Sequence, residues 1–595
     1  MDMPRWLDAC GRFFARTGVR FAVVALALAG AFAVVTRKLV QVQLHPDPDR
    51  IVVPGVVTNV LAATRGGIYD RHGKRHPFAE SFPLWKVAVD PLAVPDEKAR
   101  LAAYRALAGC GAFDRAAVYE ALTSTNRTFT GKDGKVRVKR YFPIGETADR
   151  AVADLLATNP ALSRCTTKER IIRRSYPQGS ALCHAVGFVN SIEEPLAGLE
   201  RTCDPVLRGR PGYVAADASA TRRAIASRRR GSRDPVDGND VILTVDLDLQ
   251  LAVEAALDEA MTNPVPPRAA WAVVQDCRTG EILAMASRPD FDASDFGSAS
   301  PDQQRNRAIS DVYEPGSVMK TFAAAAALDE GLVTPDTLLD VSPGLYCGRP
   351  LRDHTHGHDE LTVAQMLAWS SNRGASRLGM MLGKARQQAH LKAFGFGRRT
   401  GLPLLGESAG QTVGDGSELN NIRISMGQGM TATAVQLATA YSAIANGGLQ
   451  MEPHLVKAIA APDGTVLTNF PPRVVGRPCS ERTAEQVAEM LRAVVSREGT
   501  ARRARVPGYT AAGKTGTAQM VYGGHYSTTD FRGTFVGFFP ATDPRLTILV
   551  TCEATPKPRT DGGVCAAPVF SRIASDAARI LQIPPDDPEA ELATR

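Results

Sequence analysis

Apolar and polar positions divide the chain into stretches with different patterns. An uncharged apolar run covers residues 21–35, and short apolar strands then alternate with helix-like stretches up to residue 235. From residue 236 to 582 the apolar runs are longer and the helical patterns are rich in alanine. The last residues, 583–595, are acidic and contain proline, which is typical of a loose tail. We therefore predict two folded domains, 41–235 and 236–582, after an N-terminal segment.

The first domain is predicted to be an elongated α+β pedestal. Apolar runs predict strands at 52–57, 86–89 and 185–189, and helical periodicity predicts helices at 96–107 and 147–156. An Arg-rich segment, 222–233, closes the domain. A phosphate- or lipid-facing patch is one interpretation of this segment, but an exposed hairpin or linker fits such a charge run better.

The second domain is predicted to be an antiparallel sheet flanked by helices. A strand at 241–245 precedes a helix at 249–261. Further strands come in an early and a late group, so that strands from both ends of the domain would pair. These are a hairpin of strands 270–274 and 282–286, and late strands at 533–539 and 546–551, with helices at 321–330, 361–383, 432–446 and 481–497.

The N-terminal apolar run is interpreted as a membrane anchor. Extended to residues 21–40, it reaches the ~20 residues that span a bilayer, provided that Arg20 and Lys38 direct their charges outwards. Basic residues within 1–20 favour a cytoplasmic N-terminus. A cleavable signal peptide and a buried core helix of a cytosolic enzyme are the competing interpretations. With an anchor or a signal peptide, everything after residue 40 is exported.

Composition limits the class of protein. With 44% hydrophobic and 22% charged residues among 595, the bulk of the chain is typical of soluble domains, which excludes a disordered or a polytopic membrane protein. The formal net charge is +8, but no basic stretch is interleaved with aromatic residues. We therefore predict no nucleic-acid partner.

The ten cysteines show no CxxC pair and no repeated spacing, so neither a zinc ribbon nor a dense disulfide scaffold is indicated. Scattered thiols are the default interpretation. In an exported domain a disulfide is possible, and the nearest candidates are Cys552 with Cys565, or a pair among Cys165, Cys183 and Cys203.

A serine and a lysine one helical turn apart are the first candidates for chemistry. Ser317 precedes a strong helical run, and Lys320 lies three residues later on the same helix face. A serine hydroxyl needs a base to become a nucleophile, and a lysine serves as that base only if burial or a neighbouring positive charge lowers its pKa. By itself this Ser-x-x-Lys pattern is common and weak.

Two further patterns strengthen it: Ser370-Ser-Asn372 and Lys514-Thr-Gly-Thr517. The trio SxxK, SDN and KTG, in this order, is shared by serine β-lactamases and penicillin-binding proteins, and the middle motif of this chain reads SSN. In such a trio Ser370 would pass the proton between Ser317, Lys320 and the leaving nitrogen. Asn372 would orient Lys320 and the substrate amide.

The third pattern would bind the substrate. Lys514 would supply the positive field that keeps Lys320 neutral. Gly516 would let the substrate backbone approach the strand edge, and Thr515 and Thr517 would bind the substrate, Thr517 at its terminal carboxylate. The backbone N–H groups of Ser317 and Thr517 would form the oxyanion hole.

With these motifs the chain resembles the class B penicillin-binding proteins, the monofunctional peptidoglycan D,D-transpeptidases, over nearly its whole length after residue 20. Further strings support the resemblance in both predicted domains. They are Arg65-Gly-Gly-Ile-Tyr-Asp-Arg-His-Gly73, Arg174-Ser-Tyr-Pro177, His184 to Asn190, Asp246 with Gln250, Thr279 to Ala284, Asn306-Arg-Ala308, Gly427-Gln-Gly429, Ala445-Asn-Gly-Gly448, Gly562-Gly563 and Ala566-Ala-Pro568.

The resemblance implies a fold and a reaction. A dimerisation-type pedestal would carry a serine β-lactamase-like transpeptidase domain on the outer side of the bacterial cytoplasmic membrane. Ser317 would be acylated by the penultimate D-alanine of a stem peptide, and an amine of a neighbouring strand would then take the acyl group. β-Lactams would acylate the same serine. The implied partners are a polytopic membrane glycosyltransferase and division proteins.

No cofactor or metal is expected. A cluster of Cys347, Asp353, His354, His356 and His358 invites a zinc interpretation, but a solvated loop fits better because acyl transfer needs no Lewis acid. Within the family, the Tyr313-Glu-Pro-Gly-Ser317 context and the compact segment 321–369 resemble division-type more than elongation-type members. The motifs also fit a D,D-carboxypeptidase or β-lactamase, and a non-catalytic sensor or scaffold.

Overall fold

The computed structural model describes residues 25, 27–40, 56–130, 134–218, 224–262, 266–353, 357–412, 416–555 and 561–587. Contacts group them into two compact units, one from the residues up to Ala63 with Arg210–Val236, and one from Thr64–Gly209 with the residues from Asp237 onwards. Residues 27–40 are helical. Within the described ranges, no helix has both the length and the apolar character to cross a membrane. Of the anchor predicted at 21–40, residues 21–24 and 26 lie outside the described residues.

The first unit contains a three-stranded antiparallel sheet. Gly212–Ala218 is the middle strand, between Val56–Leu61 and Ala224–Arg233. The Arg-rich segment predicted as a hairpin or linker at 222–233 thus forms, from Ala224 onwards, the second strand of a hairpin. Arg222 and Arg223 lie outside the described residues.

The second unit begins with a seven-stranded sheet that joins both predicted domains. Asp240–Leu243 pairs in parallel with Ile68–Asp70 and antiparallel with Val456–Ala460, so strands from both sides of the predicted boundary at 235 lie in one sheet. Gly73–Val89 pairs with Phe142–Thr147 and Thr166–Ser175. Val466–Asn469 is the edge strand beside Val456–Ala460.

Helices from the predicted pedestal domain pack against strand Gly73–Val89 of this sheet and form a small separate core with it. Asp96, Asp114 and Asp149 each cap a helix N-terminus by accepting a backbone N–H. The core contains Val87, which lies on the strand predicted at 86–89, and Leu107, on the helix predicted at 96–107. The elements are helices Glu97–Gly109, Arg115–Thr123, Arg150–Thr158 and Pro160–Ser163, the 3₁₀ turn Pro91–Ala93, and strands Thr128–Thr130 and Val136–Val138.

The strand predicted at 185–189 is wrong. The chain forms the short helix Cys183–Val186, whose Ala185 and Val186 are buried in the large core. At Gly187, φ is +76° and an added Cβ would lie 2.1 Å from the Ala197 carbonyl oxygen, so the chain turns there. Helices Gly198–Thr202 and Asp204–Leu207 follow.

A buried ion network joins two strings that are distant in sequence. Glu200 is fully buried and accepts from Arg65 Nε at 2.7 Å and from Arg174 Nε at 2.6 Å. Arg174 also donates to the Gly66 carbonyl at 2.7 Å. Because two buried cations share one carboxylate, this network holds the two strings together.

The predicted antiparallel sheet is confirmed, and it takes strands from both ends of its domain. Its order is β2, β1, β5, β4, β3. The strands are β1 (Ala269–Asp276), β2 (Ile282–Arg288), β3 (Ala512–Tyr522), β4 (His525–Phe539) and β5 (Leu546–Thr555).

Helices pack against this sheet and against one another. Those used below are α1 (Leu247–Met261), α2 (Lys320–Asp329), α3 (Val363–Ala368), α4 (Asn372–Ala393), α5 (Ala434–Ala445) and α6 (Gly562–Cys565). The other elements are helices Arg307–Ser310, Glu418–Ser425, Glu481–Val495 and Ala567–Ile580, 3₁₀ turns Ala293–Ser298, Gly316–Met319 and Arg502–Ala504, and strands Leu338–Asp340, Leu345–Tyr346, Arg349–Pro350, Glu360–Thr362, Gln450–Met451 and Val474–Gly476.

The segment predicted as a loose tail, 583–595, is described up to residue 587. Asp586 accepts the Thr510 backbone N–H at 2.7 Å, and the Ile583 carbonyl accepts the Tyr509 hydroxyl at 2.6 Å. The described part of this segment is therefore bound to the residues that precede β3.

Candidate active site

Ser317 lies in a tight turn that runs directly into a buried helix. The 3₁₀ turn Gly316–Met319 is followed by α2, and Gly316 has φ of +63°, which favours glycine. Val318 and Met319 are buried, whereas Ser317 is half-buried. The turn therefore anchors its apolar side chains in the core and leaves the serine hydroxyl at the surface of a cleft.

Two glycines allow strand β3 to lie directly against this turn. A Cβ added at Gly516 would lie 2.7 Å from the Pro315 carbonyl oxygen, and one at Gly316 would lie 2.8 Å from the Thr517 carbonyl oxygen. Approaches this short do not occur for real side chains. The bare backbone of Gly516 thus accommodates the turn that holds Ser317, whereas the sequence suggested the approach of substrate.

Lys320 is fully buried and contacts the SSN motif. Its Nζ donates to the Ser370 carbonyl at 2.6 Å, to Asn372 Oδ1 at 2.7 Å and to Ser370 Oγ at 3.2 Å. Within the described ranges, the Ser317 hydroxyl makes no hydrogen bond. The amine therefore contacts Ser370 Oγ, which lies in the same cleft as Ser317.

The predicted continuous helix at 361–383 is wrong at its centre, and the break forms the site. The chain leaves α3 at Ala368 and enters α4 at Asn372, and Ser370 between them has φ of +59°. A non-glycine residue in this region costs on the order of 1–3 kcal/mol and persists only where its surroundings fix it. Here the Ser370 carbonyl and hydroxyl both accept from the Lys320 amine.

Asp353 fixes the other side of this break, and the sequence did not identify that role. Its carboxylate accepts the backbone N–H groups of Asn372 at 2.9 Å and Arg373 at 3.2 Å, and also the Ser371 hydroxyl. A carboxylate at the start of a helix is also stabilised by the helix dipole. The residues are 18 positions or more apart, so no local pattern connects them.

Asp353 belongs to the cluster of Cys, Asp and His residues for which the sequence raised a zinc interpretation. His354 and His356 of that cluster lie outside the described residues. The His358 ring stacks on Trp369 with ring centroids 5.1 Å apart. In the described part of the chain, no three His, Cys, Asp or Glu side chains are grouped to hold a metal ion.

Two buried lysines set the electrostatics of the site. Burial lowers the pKa of Lys320 well below its usual value, and the neighbouring charge of Lys514 lowers it further, whereas Asp353 opposes the shift. Burial also lowers the pKa of Lys514, to about 7, and the charge of Asp561 opposes it. The lowered pKa of Lys320 favours its neutral, proton-accepting form.

A cleft of about 600 Å³ brings the motifs together. Lys320 and Lys514 lie fully buried beside it. Its lining also contains side chains that the sequence did not assign to the site, among them Asp561, which caps α6. The predicted residues in the lining are Ser317, Ser370, Asn372, Thr515 and Thr517, and the additional ones include Trp369, Gln428, Thr500 and Asp561.

Two known protein families match this chain. The family described as penicillin-binding protein transpeptidase domain matches residues 270–575, and the family described as penicillin-binding protein dimerisation domain matches residues 60–243. The two matches cover the sheets and the cleft described above.

Individual proteins agree with these matches. Penicillin-binding protein PbpB of Mycobacterium tuberculosis is 36% identical over 87% of this chain and 78% of its own. The probable peptidoglycan D,D-transpeptidase PbpC of Pseudomonas aeruginosa is 30% identical over 96% of this chain and 97% of its own. The crystal structure of penicillin-binding protein 3 of M. tuberculosis with aztreonam superposes with a TM-score of 0.67 at 30% identity, over 89% of this chain and 99% of that one.

The three motifs meet in one cleft, and the matches cover both the dimerisation and the transpeptidase regions. The chain belongs to the class B penicillin-binding proteins.

Proposed function

We propose that this protein is a peptidoglycan D,D-transpeptidase that cross-links stem peptides in septal cell-wall synthesis. The observation that carries the proposal is the fully buried Lys320 amine, bonded to Ser370 and Asn372 beside Ser317. A lowered pKa favours the neutral form of this amine, and a neutral amine is the base that a serine nucleophile requires.

In the first half of the reaction, Ser317 Oγ attacks the carbonyl carbon of the penultimate D-alanine. Its proton passes to the neutral Lys320 amine by way of Ser370 Oγ, which lies 3.2 Å from that amine. The backbone N–H groups of Ser317 and Thr517 stabilise the oxyanion. When the peptide bond breaks, Ser370 delivers the proton to the leaving nitrogen, and terminal D-alanine departs.

In the second half, an amine of a neighbouring stem peptide attacks the acyl-enzyme ester. Ser370 and Lys320 take the proton of this amine and return it to Ser317 Oγ as the ester breaks. Each proton thus travels the same path in both directions, so one set of residues serves acylation and deacylation.

The terminal carboxylate of the substrate is placed by Lys514, Thr515 and Thr517. A carboxylate near Lys514 raises the pKa of its amine, which is about 7 in the free protein, and so holds it charged. That charge lowers the pKa of Lys320 further. Substrate binding thereby keeps the base neutral at the moment of attack.

The proposed location is the outer side of the bacterial cytoplasmic membrane, with residues 21–40 as a single-pass anchor. The apolar run with basic residues on both sides supports this. A polytopic membrane glycosyltransferase would supply glycan strands, and division proteins would direct the enzyme to the septum. The aztreonam complex of the M. tuberculosis structure supports β-lactams as ligands of the same site.

Labelled penicillin tests the chemistry. The purified full chain is expected to be labelled once and to release the label slowly, and Ser317→Ala abolishes labelling. Ser298→Ala, at an exposed serine of the same domain, is the matched control and keeps it. Rapid turnover of the β-lactam would instead identify a β-lactamase.

Depletion of the protein in cells tests the septal role. Filamentous cells are the expected result, because growth continues while septa fail. Rounded cells would indicate an elongation-type enzyme. Rescue of depleted cells by Ser317→Ala would indicate a scaffold.

A further inference from the structure

Two of the ten cysteines meet beside the candidate active site. Cys552 lies on β5, and Cys565 is the last residue of α6. The Cys552 thiol donates to the Cys565 carbonyl at 3.6 Å, and both sulfurs are free thiols in the structure. Cys552 is buried, whereas Cys565 is partly exposed.

The register of the sheet places the two sulfurs on one face. Gly533 on β4 lies directly opposite Cys552 on β5. Residues directly opposite in an antiparallel pair point to the same face, with Cβ positions roughly 4.5–5.5 Å apart. Gly533 has no side chain, and a Cβ built there would lie 2.3 Å from Cys565 Sγ. The Cys565 sulfur thus occupies the place of the side chain that would neighbour Cys552.

Cys165 and Cys183, two of the other cysteines considered for a disulfide, lie in different cores. Cys165 belongs to the small pedestal core, whereas Cys183 belongs to the large core. Cys165 Sγ donates to the Ala161 carbonyl at 3.2 Å, and Cys183 Sγ lies 3.5 Å from His184 Nδ1.

We propose that Cys552 and Cys565 form an intramolecular disulfide that fastens α6 to the active-site sheet. The N-terminal end of α6 forms part of the cleft, since Asp561 lines it and Gly562 N–H donates to Thr517 Oγ1 at 3.4 Å. The cross-link fixes the C-terminal end of the same short helix. Its effect on acyl transfer rests on the proposed function, whereas its formation does not.

The oxidant is a disulfide of a small thiol or of an oxidoreductase. The Cys565 thiolate attacks one of its sulfurs, forms a mixed disulfide and expels one thiolate. Cys552 then attacks Cys565 Sγ and expels the second thiolate. Two S–H bonds become one S–S bond, and the oxidant leaves as two thiols that carry both protons and both electrons. Cys565 reacts first because its sulfur is the partly exposed one. The hydrogen bond between the two cysteines, together with burial, raises the pKa of the Cys552 thiol, so Cys552 forms a thiolate less readily.

Peptide mapping of the full chain tests the cross-link. The reduced protein is incubated with glutathione disulfide, blocked with N-ethylmaleimide and digested without reduction. We expect one linked peptide pair that contains Cys552 and Cys565. Cys479→Ser, at another buried cysteine, keeps this pair, whereas Cys565→Ser leaves Cys552 alkylated. Two alkylated cysteines, a lasting glutathione adduct on Cys565, or a link to a third cysteine would overturn the proposal.

Acylation by labelled penicillin tests the consequence. The oxidised protein is expected to react roughly threefold faster or more than the reduced protein, because the cleft wall is held in place. Reduction leaves the rate of Cys565→Ser unchanged. Equal rates for both forms of the wild type would refute the fastening. Failure of labelling in both forms would count against the proposed function, and the peptide map would still decide the cross-link.

Discussion

Replacing Lys514 with methionine is expected to stabilise the fold while it disables the site. The side chain is fully buried and donates long hydrogen bonds to Thr515, at 3.3 and 3.4 Å. Burial lowers the pKa of its amine from 10.5 to about 7. A shift of this size costs the folded protein about 4 kcal/mol at pH 7, because the unfolded chain binds the proton more tightly. Methionine has a similar length and carries no charge.

The sign of the pH dependence follows from the same shift. Between pH 7 and 10.5 the unfolded chain holds more protons at Lys514 than the folded chain does, so this residue makes the wild type more stable as the pH rises. The slope is up to about 1.4 kcal/mol per pH unit. Lys514→Met loses this contribution, so its stability advantage is largest near pH 7 and shrinks towards pH 10.

Thermal unfolding of the full chain between pH 7 and 9.5 measures this effect. At pH 7, Lys514→Met should unfold several degrees above the wild type, and Lys392→Met, at an exposed lysine, should not. Acylation by labelled penicillin should fall by about 10- to 100-fold, the loss of a charge-assisted hydrogen bond. A variant that unfolds below the wild type at pH 7, or that keeps the same pH dependence, would show that the buried amine of Lys514 does not destabilise the fold.

Three further changes test other parts of the structure. Gly516→Ala forces a Cβ to 2.7 Å from the Pro315 carbonyl oxygen and should slow penicillin acylation by about 100-fold. The control Gly476→Ala, where a Cβ meets open space, should not slow it, and acylation of Gly516→Ala within threefold of the wild type would contradict the close approach. Asp353→Asn removes a charge that opposes the lowered pKa of Lys320, so the acidic limb of the acylation–pH profile should move to lower pH, and an unmoved limb would count against this coupling. Glu200→Ala leaves two buried arginines without their carboxylate and should destabilise the second unit by about 3–5 kcal/mol in denaturant unfolding, with a loss below about 1 kcal/mol as the contrary result.

Much of the fold follows from apolar periodicity. The hairpin of β1 and β2 and the late strands β4 and β5 were predicted, because long apolar runs between turn residues specify a buried sheet. The segment 185–189 was assigned wrongly, because five apolar residues fit a buried helical turn as well as a strand, and the deciding contact with Ala197 is not local.

The catalytic candidates follow from motif spacing, whereas the residues that hold them in place and set their charge do not. Ser317, Ser370 and Asn372 were named from the sequence and line one cleft in the structure. The left-handed conformation of Ser370 interrupts a helical pattern, and periodicity cannot detect a break that a distant carboxylate stabilises. Asp353 and Asp561 act through space on lysines that are remote in sequence, so only the folded chain reveals them.

The central claim is that Ser317 is the acylated nucleophile, and mass mapping of the β-lactam adduct tests it most directly. The full chain is treated with penicillin, digested and searched for the added mass. We expect one stoichiometric adduct on Ser317, in the peptide that also contains Lys320. An adduct on any other residue, or an unmodified Ser317 in fully inhibited protein, would contradict it.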